Sequence, residues 1–341
     1  MEKIQIYDTT LRDGAQAEGI SFSTEDKLDI ASKLDLFGID YIEGGWPSSN
    51  PKDSSFFDSA KNSRFNHAKL TAFGSTRRVG LACSNDPSIK SIAESGVKCA
   101  SIFGKSWDFH VTDALRISLD ENLEIVADSI SFLKNRGMEV LFCAEHFFDG
   151  YLHSSDYALS VLEAAESAGA DWLVLCDTNG GTLPSAVEDI TAIVVEQFRT
   201  PVGIHAHNDA DLAVANTLAA VSAGASMVQG TINGIGERCG NANLCSIIPN
   251  LELKMGVKTK IPDLSQLTAI SKFVSETANM TVGRKLPYVG TSAFAHKGGI
   301  HVSAVLKDSR TYEHIDPSIV GNERRILISE LSGNSSLKAK L

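Results

Sequence analysis

The sequence predicts an α/β chain: a closed TIM (β/α)8 barrel over residues 1–256, followed by a small, mainly helical C-terminal subdomain over 257–341. Three observations carry this expectation. Eight apolar, strand-like segments alternate with helical ones at a spacing of roughly 30 residues, which is the pattern of parallel strands joined by crossover helices. Asp13, Glu43, Arg77, Lys105, Glu145, Asp177, His205, His207 and Asn241 all fall at or just beyond the end of such a segment. A closed barrel gathers those positions on one face, whereas an open sheet spreads them along an edge. No GxGxxG follows the first segment, which argues against a dinucleotide-binding sheet.

The elements follow in order. Residues 3–19, KIQIYDTTLRDGAQAEG, begin as a short strand with Ile4 and Ile6 on one face. Asp8, Thr9, Thr10, Arg12, Asp13 and Gln16 then crowd together, with Gly14 permitting a reversal. In 23–38, Leu28, Ile30, Leu34 and Leu36 recur near helical spacing; Ser23 and Asp26 resemble a capping box and Gly38 closes the helix. The next strand ends in Glu43-Gly44-Gly45. Strands follow at 69–78, 97–106, 138–147, 170–181, 201–209 and 225–241, with helices near 86–95, 119–136, 155–168, 184–198 and 211–223. From about 257 the alternation stops. Residues 261–280 place Leu264, Leu267, Ile270, Phe273 and Val274 on one side of a helix, 290–321 are Gly- and His-rich without a regular period, and 329–341 read as a linker.

Composition narrows the function. With 341 residues, 43% of them hydrophobic, the chain can bury a large core, and a net charge of −11 without any basic run argues against a nucleic-acid partner. The six cysteines (83, 99, 143, 176, 239 and 245) form no CxxC pair and read as reduced thiols. The first strand begins at once, leaving no room for a signal peptide, and no apolar run is long enough to span a membrane. The expectation is a soluble cytoplasmic enzyme.

The chemistry concentrates at the strand ends. His205 and His207, two apart, project from one face of the seventh strand. They could form a hydrogen-bonded barrel pair or ligate a metal. Asn208 and Asp209 follow at once and Asp13 can face the pair across the closed barrel, which favours a divalent-metal site. Two histidines and one carboxylate leave positions open for a bidentate 2-oxo acid, whose carbonyl the metal polarises. Arg12, beside Asp13, is placed to stabilise an enolate or alkoxide. Thr178 could bond a substrate carboxylate. Glu145 could act as a base or orient one, or form an ion pair with Arg12 or Arg77. GIGERCGN (234–241) lacks the Lys and Ser/Thr of a P-loop; it serves to turn sharply and deliver Asn241, braced by Glu237 and Arg238.

DTTLRDGAQ, HAHND and GIGERCGN, in that order, with FAHKGGIHVSA and TYEHIDPSIVG later, resemble the metal-dependent Claisen-condensing enzymes: the 2-isopropylmalate, homocitrate and citramalate synthases. The resemblance covers essentially the whole chain, and IEGGWPSSNPKD (42–53) is most similar to the citramalate branch. It implies acetyl-CoA as co-substrate, a 2-oxo acid acceptor, a divalent cation (Mn, Mg or Zn) and release of CoA in branched-chain amino-acid synthesis. Asp13, His205 and His207 match its metal ligands and Asn241 a fourth, weaker one. Arg12 matches the residue on the keto oxygen, Thr178 a carboxylate contact and Glu145 a catalytic carboxylate. His301 and Tyr312 match a post-barrel region that reaches the partner subunit's active site, implying a homodimer; from the residues alone His301 reads as packed or solvated. Glu145, His301 and Tyr312 are the candidate enolising bases, and Phe103 and Cys143 line the acceptor pocket. The family's C-terminal regulatory domain is expected to be absent. The rival expectations are 2-oxoisovalerate as acceptor, a lyase of the 3-hydroxy-3-methylglutaryl-CoA type, and a barrel kept for assembly or sensing. GERCGN stands where that lyase has a GGCPY-like loop, which speaks against the second.

Overall fold

Eight parallel strands close on themselves in chain order: β1 (Gln5–Asp8), β2 (Tyr41–Gly45), β3 (Lys69–Ser75), β4 (Cys99–Lys105), β5 (Glu139–Glu145), β6 (Trp172–Asp177), β7 (Val202–Ala206) and β8 (Met227–Gly230). Closure comes from β1 pairing with β8 in the register Gln5↔Met227 to Asp8↔Gly230. The computed structural model describes residues 3–61, 63–281 and 283–327. They fall into two compact units, the first ending at Lys260 and the second beginning at Ile261. Residues 329–341, read as a linker, lie outside the described residues.

The two-residue period of each strand divides its side chains between two layers. Tyr7, Tyr41, Cys99, Leu141, Cys143, Val174, Cys176 and Met227 fill the barrel interior, with the Tyr7 and Tyr41 rings stacked at 5.8 Å. Their neighbours Ile6, Ile42, Phe142, Ile204 and Val228 turn the other way and are fully buried beneath the helices.

The crossover helices start and stop where local chemistry demands. In α1 (Thr24–Phe37), Ser23 accepts from the Asp26 N–H at 3.1 Å and Asp26 accepts from the Ser23 N–H at 2.8 Å, completing the capping box; Gly38 ends it at φ 97°. α2 (Pro51–Ala60) starts on an Asn50 cap followed by proline, and α3 (Pro87–Glu94) on Asp86 followed by proline. α4 (Leu119–Lys134), α5 (Phe147–His153), α6 (Ser155–Ser167), α7 (Pro184–Gln197), α8 (Ala213–Ser222) and α9 (Leu244–Leu253) complete the ring.

One sequence expectation needs correction in α1. Leu36 is not on the buried face but 67% exposed, while Lys27 and Asp35 are buried. Lys27 is tolerated there because its ammonium bonds Asp53 at 2.5 Å and the Gly44 carbonyl at 3.1 Å. Asp35 accepts the backbone N–H groups of Asn66, His67 and Ala68 at 2.7–2.9 Å. Gly45 is required beside this network: at φ 142° a Cβ would stand 2.5 Å from the Asp53 carboxylate.

In the second unit, α10 (Leu267–Thr277) buries Leu267, Ile270 and Val274. The stretch 290–321, without a period in the sequence, contains a helix, α11 (Gly299–Lys307). Short strands β9 (Ala295–His296) and β10 (Arg325–Ile326) pair in parallel. Near them the buried Glu313 carboxylate accepts from Arg324 at 2.7 and 2.5 Å and lies 3.0 Å from His296.

Candidate active site

The turn after β1 is folded by its own side chains. Asp8, fully buried, accepts from the Thr10 N–H at 2.9 Å and the Thr10 hydroxyl at 2.8 Å, and Thr10 Oγ1 accepts from the Ile232 N–H beyond β8. Burial pushes the Asp8 carboxyl up to about 7 despite those hydrogen bonds. The turn presents Arg12 and Asp13 to the barrel mouth. Arg12 Nε donates to Glu43 at 2.6 Å, its Nη1 lies 3.1 Å from Asp13, and its guanidinium stacks 3.7 Å from the centre of the Phe73 ring.

Glu43, wholly buried in the middle of β2, also accepts the Tyr7 and Thr9 hydroxyls at 2.5 Å each. It is the residue that holds Arg12 in place, a role the sequence did not assign. Register alone reveals it, since Tyr7 pairs with Tyr41 and Asp8 with Ile42.

At the end of β7, His205 Nε2 and His207 Nε2 stand 3.3 Å apart and lie 3.4 and 3.9 Å from Asp13 Oδ2. All three residues are buried, and one ligand atom from each lies within 4.8 Å of the others. Burial opposes the charge on Asp13, but Arg12 and the imidazoles outweigh it and hold the carboxyl well below the usual range. Burial likewise works against a charged His205, yet Asp13 raises its pKa. For His207, burial and then the His205 charge push the pKa down to about 3, so at neutral pH this imidazole offers one ring-nitrogen lone pair.

Asn241 is bridged to His207 through the backbone. Its Nδ2 donates to the Ile235 carbonyl at 3.2 Å, while its Oδ1 is buried without a hydrogen-bond partner among the described residues. A buried, donorless oxygen is costly unless something positive meets it. The carboxylate and imidazoles that converge here, with an amide oxygen on the residue bridged to His207, are donor types that a divalent cation takes. The loop that supplies Asn241 admits no side chain at 236, because a Cβ there would run into the Asn241 amide. Arg238 braces it, bonding Asp209 at 2.8 and 3.0 Å and the Thr178 carbonyl at 2.7 Å.

A cavity of about 680 Å³ opens over this cluster. Arg12, Asp13, His205 and His207 line its polar wall, with Glu145 and Thr178. Phe103 and Cys143 line it too, joined by Trp46 and Phe73; Phe73 and Phe103 stack at 5.5 Å and Trp46 meets both edge-on. Thr178 Oγ1 accepts from the His146 N–H at 2.8 Å, leaving its own proton to donate. The ion pairs suggested for Glu145 do not form. It bonds Lys105, its partner in the β4–β5 register, while Arg77 bonds Asp128 at 2.7 Å and Arg12 is taken by Glu43. His301 and Tyr312 belong to the second unit, where their rings lie 4.2 Å apart and both side chains are exposed.

A model of the HMGL-like family matches residues 3–274, and one described as homocitrate synthase post-HMGL domain-like matches 288–341. The chain is 60% identical over 343 residues to a protein named (R)-citramalate synthase from Aquifex aeolicus, covering 100% of this chain and 65% of that one. It is 37% identical to one named 2-isopropylmalate synthase from Methanocaldococcus jannaschii, covering 100% of this chain and 63% of that protein. The chain thus spans just under two thirds of the length of these relatives. A solved structure of the HMG-CoA lyase from Bacillus subtilis superposes with a TM-score of 0.70 over 83% of this chain and 96% of that one, at 23% identity, and so shares the fold. With eight parallel strands closed around a buried Asp13–His205–His207 cluster and a family match over most of its length, the chain belongs to the HMGL-like family.

Proposed function

We propose that the chain is a divalent-metal-dependent acyltransferase that condenses acetyl-CoA with a 2-oxo acid, pyruvate being the favoured acceptor and citramalate and CoA the products, in branched-chain amino-acid synthesis. The observation that carries this reading is the convergence of Asp13, His205 and His207 in the wall of a cavity that Arg12 and Thr178 also line. The choice of pyruvate is supported by identity: 60% to the protein named a citramalate synthase, against 37% to the one named a 2-isopropylmalate synthase.

Held by Asp13, His205, His207 and the Asn241 oxygen, a divalent cation would supply Lewis acidity toward the acceptor's keto carbonyl. The chain's own groups do the rest. The Thr178 hydroxyl donates to the acceptor carboxylate. Glu145, fixed by Lys105, or His301 or Tyr312 of a partner subunit, takes a methyl proton from acetyl-CoA. The resulting enolate carbon bonds to the keto carbon, and the electron pair moves onto the keto oxygen, where the Arg12 guanidinium donates to the developing negative charge. Water then cleaves the thioester, releasing the CoA thiol. Holding both substrates in line can by itself lower the barrier by ~7–11 kcal/mol. In this reading the working form is a homodimer and the site of action the cytoplasm. Among the described residues no helix is long and apolar enough to cross a membrane.

Thiol release from acetyl-CoA, measured with pyruvate, 2-oxoisovalerate and 2-oxoglutarate with and without chelator, tests the proposal. Release with pyruvate far ahead of the others, and lost with chelator, is expected. A lead for 2-oxoisovalerate would transfer the reading to isopropylmalate formation, and release with no acceptor, or release indifferent to chelator, would refute it.

A further inference from the structure

We propose that Gln229 is a positioning residue for the metal centre: its amide oxygen accepts a hydrogen bond from the Nδ1–H of His205 and so reserves His205 Nε2 for the cation, an inference resting on the reading of Asp13, His205 and His207 as ligands. The β7–β8 register sets His205 directly opposite Gln229, and His205 Nδ1 lies 3.1 Å from Gln229 Oε1. Both side chains are buried, at 6% and 2% exposure, and Gln229 also lines the cavity.

A neutral imidazole carries one proton, and the partner of one ring nitrogen decides what the other can do. His205 Nε2 points at Asp13 Oδ2 and His207 Nε2, so the proton must reside on Nδ1 if Nε2 is to ligate. An acceptor at Nδ1 fixes that tautomer, orients the ring and makes Nε2 more basic. His207 has no equivalent holder, since its Nδ1 is buried without a partner among the described residues. Of the two imidazoles, only His205 is held in this way.

The other end of Gln229 supports the assignment. Its Nε2 is buried and unpartnered among the described residues. A half-satisfied amide inside a barrel, with Met227 two residues before it in the apolar interior, costs stability. Its presence is explained by what its oxygen does for His205.

The test titrates Mn2+ into the chelator-stripped full chain by calorimetry for wild type, Gln229→Met and Gln229→Glu. Methionine keeps the length and removes the acceptor; affinity is expected to fall about 10- to 100-fold, without loss of thermal stability in the metal-free chain. Glutamate restores an acceptor and is expected to bind at least as tightly as wild type. Wild-type affinity in Gln229→Met, or an equal loss in Gln229→Glu, would overturn the proposal. If either variant fails to fold, long-range 1H–15N NMR of the Zn2+-loaded wild type decides: a slowly exchanging proton on His205 Nδ1 supports it, and its absence overturns it. A wild type that takes up no cation overturns the metal reading itself, a failure distinct from that of Gln229.

Discussion

Glu43→Ala isolates what holds Arg12. The wild-type carboxylate is fully buried and receives the Arg12 Nε at 2.6 Å and the Tyr7 and Thr9 hydroxyls at 2.5 Å. Burial and then the Glu43 charge push the Tyr7 phenol well up, so it stays a donor. Breaking a buried ion pair from one side costs about 3–5 kcal/mol, because the other charge remains in low dielectric. Asp13, 3.1 Å from Arg12, offsets part of that, while the stranded Tyr7 hydroxyl adds about 1–3 kcal/mol. A net loss of about 3–5 kcal/mol follows, which for a unit of this size lowers Tm by roughly 6–20 °C. Thermal and urea unfolding measure it. Turnover should fall with it, by about 10²–10³-fold, because a freed guanidinium no longer points at one place. Glu43→Gln, which keeps a hydrogen-bonding group but removes the charge, should fall between wild type and Glu43→Ala. A stability loss below about 1 kcal/mol in Glu43→Ala would refute the reasoning, since the pair would then have been solvated or replaceable.

Glu145→Gln is expected to slow turnover by about 10²–10⁴-fold if Glu145 moves the proton. Its pair with Lys105 is part-exposed, so unfolding should change by less than about 1 kcal/mol; a large stability loss with normal turnover would assign it a structural role. In the second unit, Arg324 above all, against the cost of burial and with help from His296, holds the Glu313 carboxyl below its ordinary range. Its contribution is therefore present above the unfolded carboxyl pKa of about 4.3 and lost as pH falls through the lower, folded value. Glu313→Gln should flatten acid unfolding of that unit in this window, and an unchanged acid limb would contradict it.

The barrel was legible because its evidence is periodic. Eight apolar segments each end in a polar group, and closure brings Asp13 to His205 and His207 whatever the helices do. The helices α2, α5 and α9 were not legible: each is 7–10 residues long, too short to repeat a helical period, and α9 carries Pro249 in its interior. Helix α11 was hidden by its glycine-rich start. The partners of Arg12, Glu145 and Lys27 were out of reach for another reason. Each is set by strand register or by a crossover helix docking on a strand end, as when Lys105 faces Glu145 across β4 and β5, and no local pattern encodes that alignment. Buried Lys27 and exposed Leu36 show the same limit within one helix, where a specific acceptor overrides hydrophobic spacing.

Equilibrium dialysis of wild type and His207→Ala against Mn2+, with metal counted per folded chain, tests the central claim most directly. The account predicts one tightly held cation per wild-type chain, and none in a variant whose barrel still melts cooperatively. Equal metal content in the two would contradict it.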